Sequence, residues 1–497
     1  MKKYLALVLA LLMLLSALVA CKGNEEPSKG TDEEVKTTEN TKATDVEGTN
    51  YLEMLPKENL DRDFTILCSD SKGDQYVKQA QVDGGDVVAS AVWKRNLRVE
   101  DYKGVRIVLD AQDDRWALGD IPYVTLLRKN DMANDCPYNA IALEQTYASN
   151  VAAEGLLYNL NAIESFEYDQ PWWYTSFSEN NTVYGNLYML AGDISHMVLG
   201  TAWTVIYNKQ ISERLGLPNF YELVSKKEWT FANMLVAAKA AATDEGDNST
   251  YGLGLNRHAL RSSPLSFAIP VCSRTDDGGY ALTMYSDRTE AIYSSLYSAI
   301  YSSDNAILGD FESDGQAQRM LIPKFVENKL LFMMFSLEFL GDFKNSLDAN
   351  TDYGILPYPM YDEAQGEYRT SVGNLGVYVG IPKKEADPAF SGNILNALGA
   401  AGKTYVYPAY YETTLKLHTA KDKESFEMLN IIRDSMYFTF ASVHASALDN
   451  ITSRWGDTLL PKEGVASESF RTTYTSVEKN SGAALKKALE QYAKIGE

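Results

Sequence analysis

The nearest thing to a nucleotide-binding signal in the chain is Gly402-Lys403-Thr404. A phosphate-cradling loop needs GxxxxGK[ST], because its glycines let successive backbone N–H groups wrap the anion. Ala397 stands at the first glycine position. Ile394-Leu395-Asn396 before it reads as helix rather than strand, and Pro408 interrupts the helix that should follow. Nucleotide binding is therefore not expected. The four histidines, His196, His258, His418 and His444, fall in no HExxH or other metal-ligand spacing, and there is no CxxC. His196, close to Asp193 and Ser195, has the company of a ligand site, although a surface or satisfied core histidine is the plainer reading. The run Asp244-Glu245-Gly246-Asp247-Asn248 lacks the alternating oxygens and closing Glu of a calcium loop and reads as an acidic turn. No GxSxG elbow occurs. Glycoside hydrolysis needs only two carboxylates close in space, and nothing singles out a pair. The expectation is no catalytic residue, no metal and no resident cofactor.

The 497 residues carry Lys+Arg 46 against Asp+Glu 67, a formal net charge of −21. That length suggests two or three domains of ordinary size, each able to bury a core. The acidic balance argues against a protein built to grip phosphate backbones, since its overall field repels them. Four cysteines are too few for a disulfide scaffold.

The N-terminus sets the expected compartment. Met1-Lys2-Lys3 is followed by an uncharged, almost wholly apolar stretch from Tyr4 to Ala20, which reads as a secretory signal (1–20). It ends in Leu18-Val19-Ala20-Cys21, similar to the bacterial lipobox, where cleavage precedes a lipidated cysteine. The resemblance implies that Cys21 carries acyl chains, which bury in a bilayer at ~0.8 kcal/mol per CH₂. An ordinary cleaved signal and an uncleaved anchor are the alternatives. Lys22 to Asn50 holds four Lys and eight Asp/Glu with only Val35 and Val46 as larger apolar residues. Such a segment cannot offset its ordering entropy, so 21–60 is expected to be a disordered acidic tether, its 29 residues from Lys22 to Asn50 spanning ~30 Å r.m.s..

Beyond the tether the pattern alternates between strand and helix. Asp63–Cys68 reads as a buried strand and Val105–Leu109 as a second, with Val88, Ala91, Val92 and Val99 at helical spacing between them, a βαβ opening. Further strands are expected at Tyr138–Leu143, Thr201–Tyr207, Lys329–Phe335, Tyr353–Leu356 and Leu375–Ile381. Thr230 and Ser286 read as helix N-caps, and Gly216 with Pro218 as a helix stop. Phe426, Leu429, Ile432 and Met436 form a helical stripe, and Ala483–Ile495 is helical by propensity.

Several of these segments together resemble one family, the extracellular solute-binding proteins of ABC importers, in the group that includes sugar-binding lipoproteins. The resemblance runs from about Asp61 to the C-terminus. It rests on Asn96-Leu97-Arg98-Val99-Glu100, on Trp203 to Lys209 ending in Tyr-Asn-Lys, and on Phe220 to Val224 followed by Glu228-Trp229-Thr230-Phe231. Tyr251-Gly252-Leu253 and Tyr353 to Pro359 also fit. One departure is Asn139, where the family commonly has Asp; this could change a loop contact without disturbing the fold.

What the resemblance implies is an α/β, two-lobed periplasmic-binding-protein-like fold (type II) with three hinge crossings, near Met189–Gly192, Val372–Val377 and Tyr437–Phe440. The first lobe would combine 61–189 with 376–438 and the second 192–372 with 440–497. Such a clamp captures a polar solute, with a sugar or oligosaccharide favoured by the 32 tyrosines, and hands it to ABC permease subunits. The expected protein is a monomer, lipid-anchored on the extracytoplasmic face of the cell membrane, without nucleic acid. Ligands of open α/β sheets sit at the carboxyl ends of strands. By that rule the candidate ligand residues are Asp70 and Ser71 after the first strand, Gln145 and Tyr147 after the third, and Glu338 and Phe339 after the Lys329–Phe335 strand, joined by Asp193, Asn374 and Tyr437 at the three crossings. A surface-tethered carbohydrate-active hydrolase is the alternative.

Overall fold

A computed structural model describes residues 49–76, 87–113, 122–301, 307–310, 317–340, 351–373, 376–416, 423–461 and 465–495. The signal segment, Cys21, most of the tether, Asn374 and Leu375 lie outside the described residues.

Eleven strands are described in chain order: β1 Arg62–Ser69, β2 Val105–Gln112, β3 Ala140–Glu144, β4 Trp203–Asn208, β5 Tyr251–Asn256, β6 Cys272–Arg274, β7 Tyr280–Leu282, β8 Ile307–Asp310, β9 Leu330–Ser336, β10 Tyr353–Pro357 and β11 Val377–Gly380. They form two main sheets, ordered β11-β3-β1-β2 and β10-β4-β9-β5-β8, and a β6-β7 hairpin. In the first sheet β1 pairs parallel with β2 from Arg62↔Val105 to Ser69↔Gln112, across the helix Val87–Lys103. That is the expected βαβ unit. Its helix buries Val92 and Val99 because apolar residues recur on one face. β3 runs parallel to β1, and β11 closes the edge antiparallel. In the second sheet β4 is antiparallel to both neighbours, β9 and β10, while β5 is parallel to β8 and β9. β4 and β9 are buried at every residue, as expected of strands covered on both faces.

Local signals explain where elements begin. The Thr230 side chain accepts from the Asn233 amide (3.3 Å), and the Ser286 hydroxyl accepts from Thr289 N (3.1 Å), so both are the expected caps. The helix Lys209–Arg214 stops at Gly216, which has a φ of +61°. The last helix begins well before Ala483 and runs Phe470–Ile495. Phe426 departs from the expected stripe: it is 44% exposed, and the buried face of Lys423–Asp434 is made by Met428, Leu429 and Ile432.

The close packing on the second sheet, by a helix at one and by a neighbouring strand's tyrosine at the other, requires two of its glycines. A Cβ on Gly252 would stand 2.1 Å from the Ala238 carbonyl oxygen, and one on Gly354 would stand 2.2 Å from Tyr207 Cε1. This gives the Tyr-Gly pairs at 251–252 and 353–354 a steric reason.

The chain leaves the first sheet after β3 and enters the second at β4, then returns between β10 and β11. These passages lie side by side. Leu190 and Val379 exchange backbone bonds of 2.9 Å each way, Trp203 N donates to Ser371 O (2.9 Å), and Gly373 N donates to Thr201 O (2.8 Å). Thr370 joins them, donating to Ser435 O (2.8 Å) and accepting from Tyr437 N (3.1 Å). The helix Lys423–Asp434 packs on β10, with Ser425 Oγ 2.9 Å from Tyr221 Oη. An expected first lobe reaching 438 would put this helix with the other sheet. No helix among the described residues is long and apolar enough to cross a membrane.

Candidate functional site

Polar side chains converge where β1 and β3 end. Ser69, the last residue of β1, donates its hydroxyl to Glu144 Oε1 at 3.3 Å, and Ser71 Oγ lies 3.5 Å from Ser69 Oγ. Glu144 closes β3 and is buried, because the sheet and the helix Gln145–Ala153 enclose it. Tyr76 and Tyr123 lie beside it. Burial, with the Glu144 charge as a smaller cause, pushes both phenols well above their ordinary range. They remain protonated, and both side chains are fully buried behind the carboxylate. A carboxylate and serine hydroxyls are the groups of this corner suited to hydroxyl-bearing ligands.

Arg95 braces this corner. Its fully buried guanidinium donates Nη1 to Ile194 O (2.7 Å) and Nη2 to Tyr76 O (2.5 Å), and burial lowers its pKa to about 10. Ser195 Oγ donates to Gln75 Oε1 at 2.5 Å. The turn after β1 is thus fastened to the passage between the sheets.

The carboxyl ends of the second sheet carry another polar group. Ser336 ends β9 and donates to Glu338 Oε1 (3.2 Å), beside Trp203 at the start of β4. Asn256 ends β5, where its Oδ1 caps the next helix by accepting from Ala259 N (2.8 Å). Arg257 follows, buried, donating Nε to Leu460 O (2.8 Å) and standing 3.6 Å from Asp457 Oδ1.

Several expected ligand residues lie elsewhere than in an open strand-end site. Asp193, expected at the first crossing, is 5% exposed and accepts from Arg433 Nη2 (3.0 Å), with Lys403 Nζ at 3.9 Å. A small cavity of about 10 Å³ beside it is lined by His196, Tyr174, Tyr407 and Tyr410, with His196 5.5 Å from the Tyr410 ring centre. Gln145 is buried and donates Nε2 to Ser442 O (2.6 Å), so its amide N–H holds a neighbouring turn. Asp70 and Ser71 are exposed in the turn Asp70–Gln75, and Tyr147 is half-buried on the helix after β3. Glu338 is half-buried after β9, and Phe339 lies in the same turn, Leu337–Phe339. Tyr437 is half-buried, with the Arg369 guanidinium 4.3 Å from its ring centre.

Residues 69, 71 and 144 come together, as do 336 and 338. Ser69, Tyr76, Tyr123, Glu144, Asn256 and Arg257 lie in these two polar groups and are not among the expected ligand residues. For Ser69 and Glu144 the signal was present, since each is the polar residue that ends an apolar run, one position before the residues chosen.

Gly402-Lys403-Thr404 forms part of a π-helical turn, Gly402–Val406, between the helices Pro388–Ala401 and Tyr407–Lys416. Pro408 lies inside a run that stays helical from Pro388 to Lys416, so it does not interrupt the following helix as expected, and the π turn just before it is where the regular bonding gives way. Lys403 is turned inward to Asp193 and the Tyr51 ring. Among the described residues no group of three or more His, Cys, Asp or Glu side chains is placed to hold a metal ion.

No protein-family model matches the sequence, and no curated protein does. The likeness is in three dimensions. UspC of M. tuberculosis superposes with a TM-score of 0.55 at 11% identity, covering 85% of this chain and 100% of that one. The galacto-N-biose/lacto-N-biose I-binding protein of an ABC transporter from Bifidobacterium longum, in complex with lacto-N-biose, gives 0.52 at 12%, over 87% and 97%. A sugar transporter from Rhizobium etli in an open conformation gives 0.52 at 14%, over 86% and 98%. The chain has the two-lobed periplasmic-binding-protein fold. The two strand-end groups lie on different sheets, and the paired backbone passages run between those sheets.

Proposed function

We propose that this chain is a membrane-tethered extracellular solute-binding lipoprotein, which closes over a polar solute and delivers it to an ABC permease. A sugar or oligosaccharide is the proposed cargo, and Cys21 the lipidated anchor. The observation that carries the reading is the Ser69–Glu144 cluster, flanked by protonated Tyr76 and Tyr123, at the carboxyl edge of the first sheet of a two-lobed fold. Hydroxyl donors and a carboxylate acceptor fit the alternating donors and acceptors of a sugar edge. We assign ligand contact to Ser69, Asp70, Ser71, Glu144 and Tyr147 on one side and Ser336, Glu338 and Phe339 on the other. Asn374, outside the described residues, stays a candidate at the second crossing, whereas Tyr437 falls within the second lobe of this reading. The lobes in this reading are 61–189 with 376–416, and 192–372 with 423–497, because 423–434 packs on β10.

The physics is that of a two-state clamp. A ligand touching both lobes stabilises closure by its differential affinity for the closed form. A thermal-shift screen over mono- and oligosaccharides, with peptides and polyamines as other classes, tests this. A true solute at 100 times its Kd adds about 2.7 kcal/mol to stability, and mass spectrometry should recover it intact. Stabilisation by peptides alone would remove the sugar assignment. Cleavage of the solute would favour a tethered hydrolase instead.

A further inference from the structure

The C-terminal helix Phe470–Ile495 belongs to both halves of the molecule. Its first turns pack in the second half, where Phe470 faces the Tyr293 and Trp455 rings and Tyr474 stacks on Tyr285 at 5.0 Å. Its last turns reach the first half. Tyr492 stacks on Tyr188 with ring centres 5.7 Å apart, and Tyr188 lies in the stretch whose Leu190 pairs with β11. Ile495 covers Gly155, where a Cβ would meet Ile495 Cγ1 at 3.0 Å.

A second piece of chain crosses the same gap and is pinned to this helix. Residues 440–448 touch the helix after β3 through Gln145 Nε2 to Ser442 O (2.6 Å) and through Ser149 Oγ and Ser446 Oγ, 2.9 Å apart. At their centre His444 is fully buried, with Nδ1 3.1 Å from Phe440 O and Nε2 3.0 Å from Tyr492 Oη. A carbonyl only accepts, so Nδ1 carries the proton and Nε2 accepts from the Tyr492 hydroxyl. Phe440 stacks on His444 at 4.0 Å and Tyr280 on Phe440 at 3.9 Å, continuing the column into the β6-β7 hairpin.

We infer that the end of the C-terminal helix and the 440–448 turn form a latch across the two halves, pinned at Tyr492–His444, which sets their separation before any solute arrives. The latch holds because the Tyr188–Tyr492 stack and the Gln145–Ser442 and Ser149–Ser446 contacts must slip together when the halves rotate, while the buried His444–Tyr492 bond ties the two crossing pieces to each other. Stacking and a buried hydrogen bond are geometry-sensitive contacts, so the linkage favours one separation over a continuum. The inference uses the two-lobed movement of the capture reading, but no solute.

Electron–electron resonance distances test it without ligand. Spin labels go on the full chain at Met132→Cys and Val236→Cys, exposed positions on helices packed against the first and second sheets. Cys21→Ser, Cys136→Ser and Cys272→Ser form the background, with buried Cys68 kept. Tyr492→Ala should shift the modal distance by roughly 5 Å or visibly broaden it, as lobe rotations do. Tyr492→Phe, which keeps the stack and loses the bond to His444, should give a smaller change. A folded Tyr492→Ala chain with the parental distribution overturns the latch. Should that variant fail to fold, Tyr188→Leu removes the stack from the other side and is judged by the same criterion. A chain that binds no sugar at all can still pass this test, so its failure and that of the capture reading are separable.

Discussion

Arg433 and Asp193, 240 positions apart, form a buried ion pair with Nη2 3.0 Å from Oδ2. The pair ties the helix Lys423–Asp434 to the passage that leaves the first sheet. The Asp193 side chain is 2% exposed, and Lys403 Nζ stands 3.9 Å from the same oxygen. Burial and the nearby Asp193 charge hold the Tyr174 phenol far above its ordinary range, so it serves Asp193 as a donor, 3.4 Å from Oδ1. Removing one partner strands the other charge in a poorly solvated place. Arg433→Met should cost about 3 kcal/mol by denaturant unfolding, and adding Asp193→Asn should recover part of it. Equal stability of Arg433→Met and the parent would mean the pair is idle.

Asn139 uses both ends of its amide. Its Oδ1 accepts from Thr65 N (2.9 Å) while its Nδ2 donates to Glu385 Oε1 (2.8 Å), a bond no aspartate can give. Burial already raises the Glu385 carboxyl. Asn139→Asp should therefore destabilise by about 2 kcal/mol at neutral pH. The loss should shrink as pH falls through the carboxylate range and the two acids share a proton. Unfolding curves of both proteins at several pH values would show this.

Gly252→Ala pushes a methyl group against the Ala238 carbonyl, a backbone atom that cannot swing aside. The expected cost is about 2 kcal/mol, without change in the denaturant slope. Gly366→Ala, at an open position with a φ of +74°, should fail for conformational rather than contact reasons and cost less.

His444 gives a pH signature. Full burial lowers its pKa from 6.5 to about 4. The unfolded chain then binds the proton more readily, so this contribution is fully present above pH 6.5. It is lost as pH falls toward 4, by roughly 3 kcal/mol in all. His444→Gln should flatten the stability profile between those limits relative to the parent. Parallel profiles would show that His444 does not titrate there.

How much of this was written locally varies by element. β1, its following helix and β2 were legible because apolar periodicity and a short connection lie within fifty residues of each other. Thr230 and Ser286 were legible because a cap needs only its own helix. Asp193 was not, because what buries it is Arg433, brought near by the fold rather than by sequence. Glu144 was one residue from the choice made. A strand's last residue turns inward or outward by pairing register, and that register depends on β11 from much later in the chain. The inward Lys403 also escaped notice, since a π-helical turn re-aims a side chain without any local signal.

The most direct measurement of the central claim is small-angle X-ray scattering with and without the solute that stabilises the chain most. The account predicts a smaller radius of gyration at saturation. Glu144→Gln should weaken that solute's affinity about tenfold or more, equivalent to ~1.4 kcal/mol, while leaving unfolding little changed. Identical scattering at saturation, with the solute bound and the chain unmoved, would contradict a clamp.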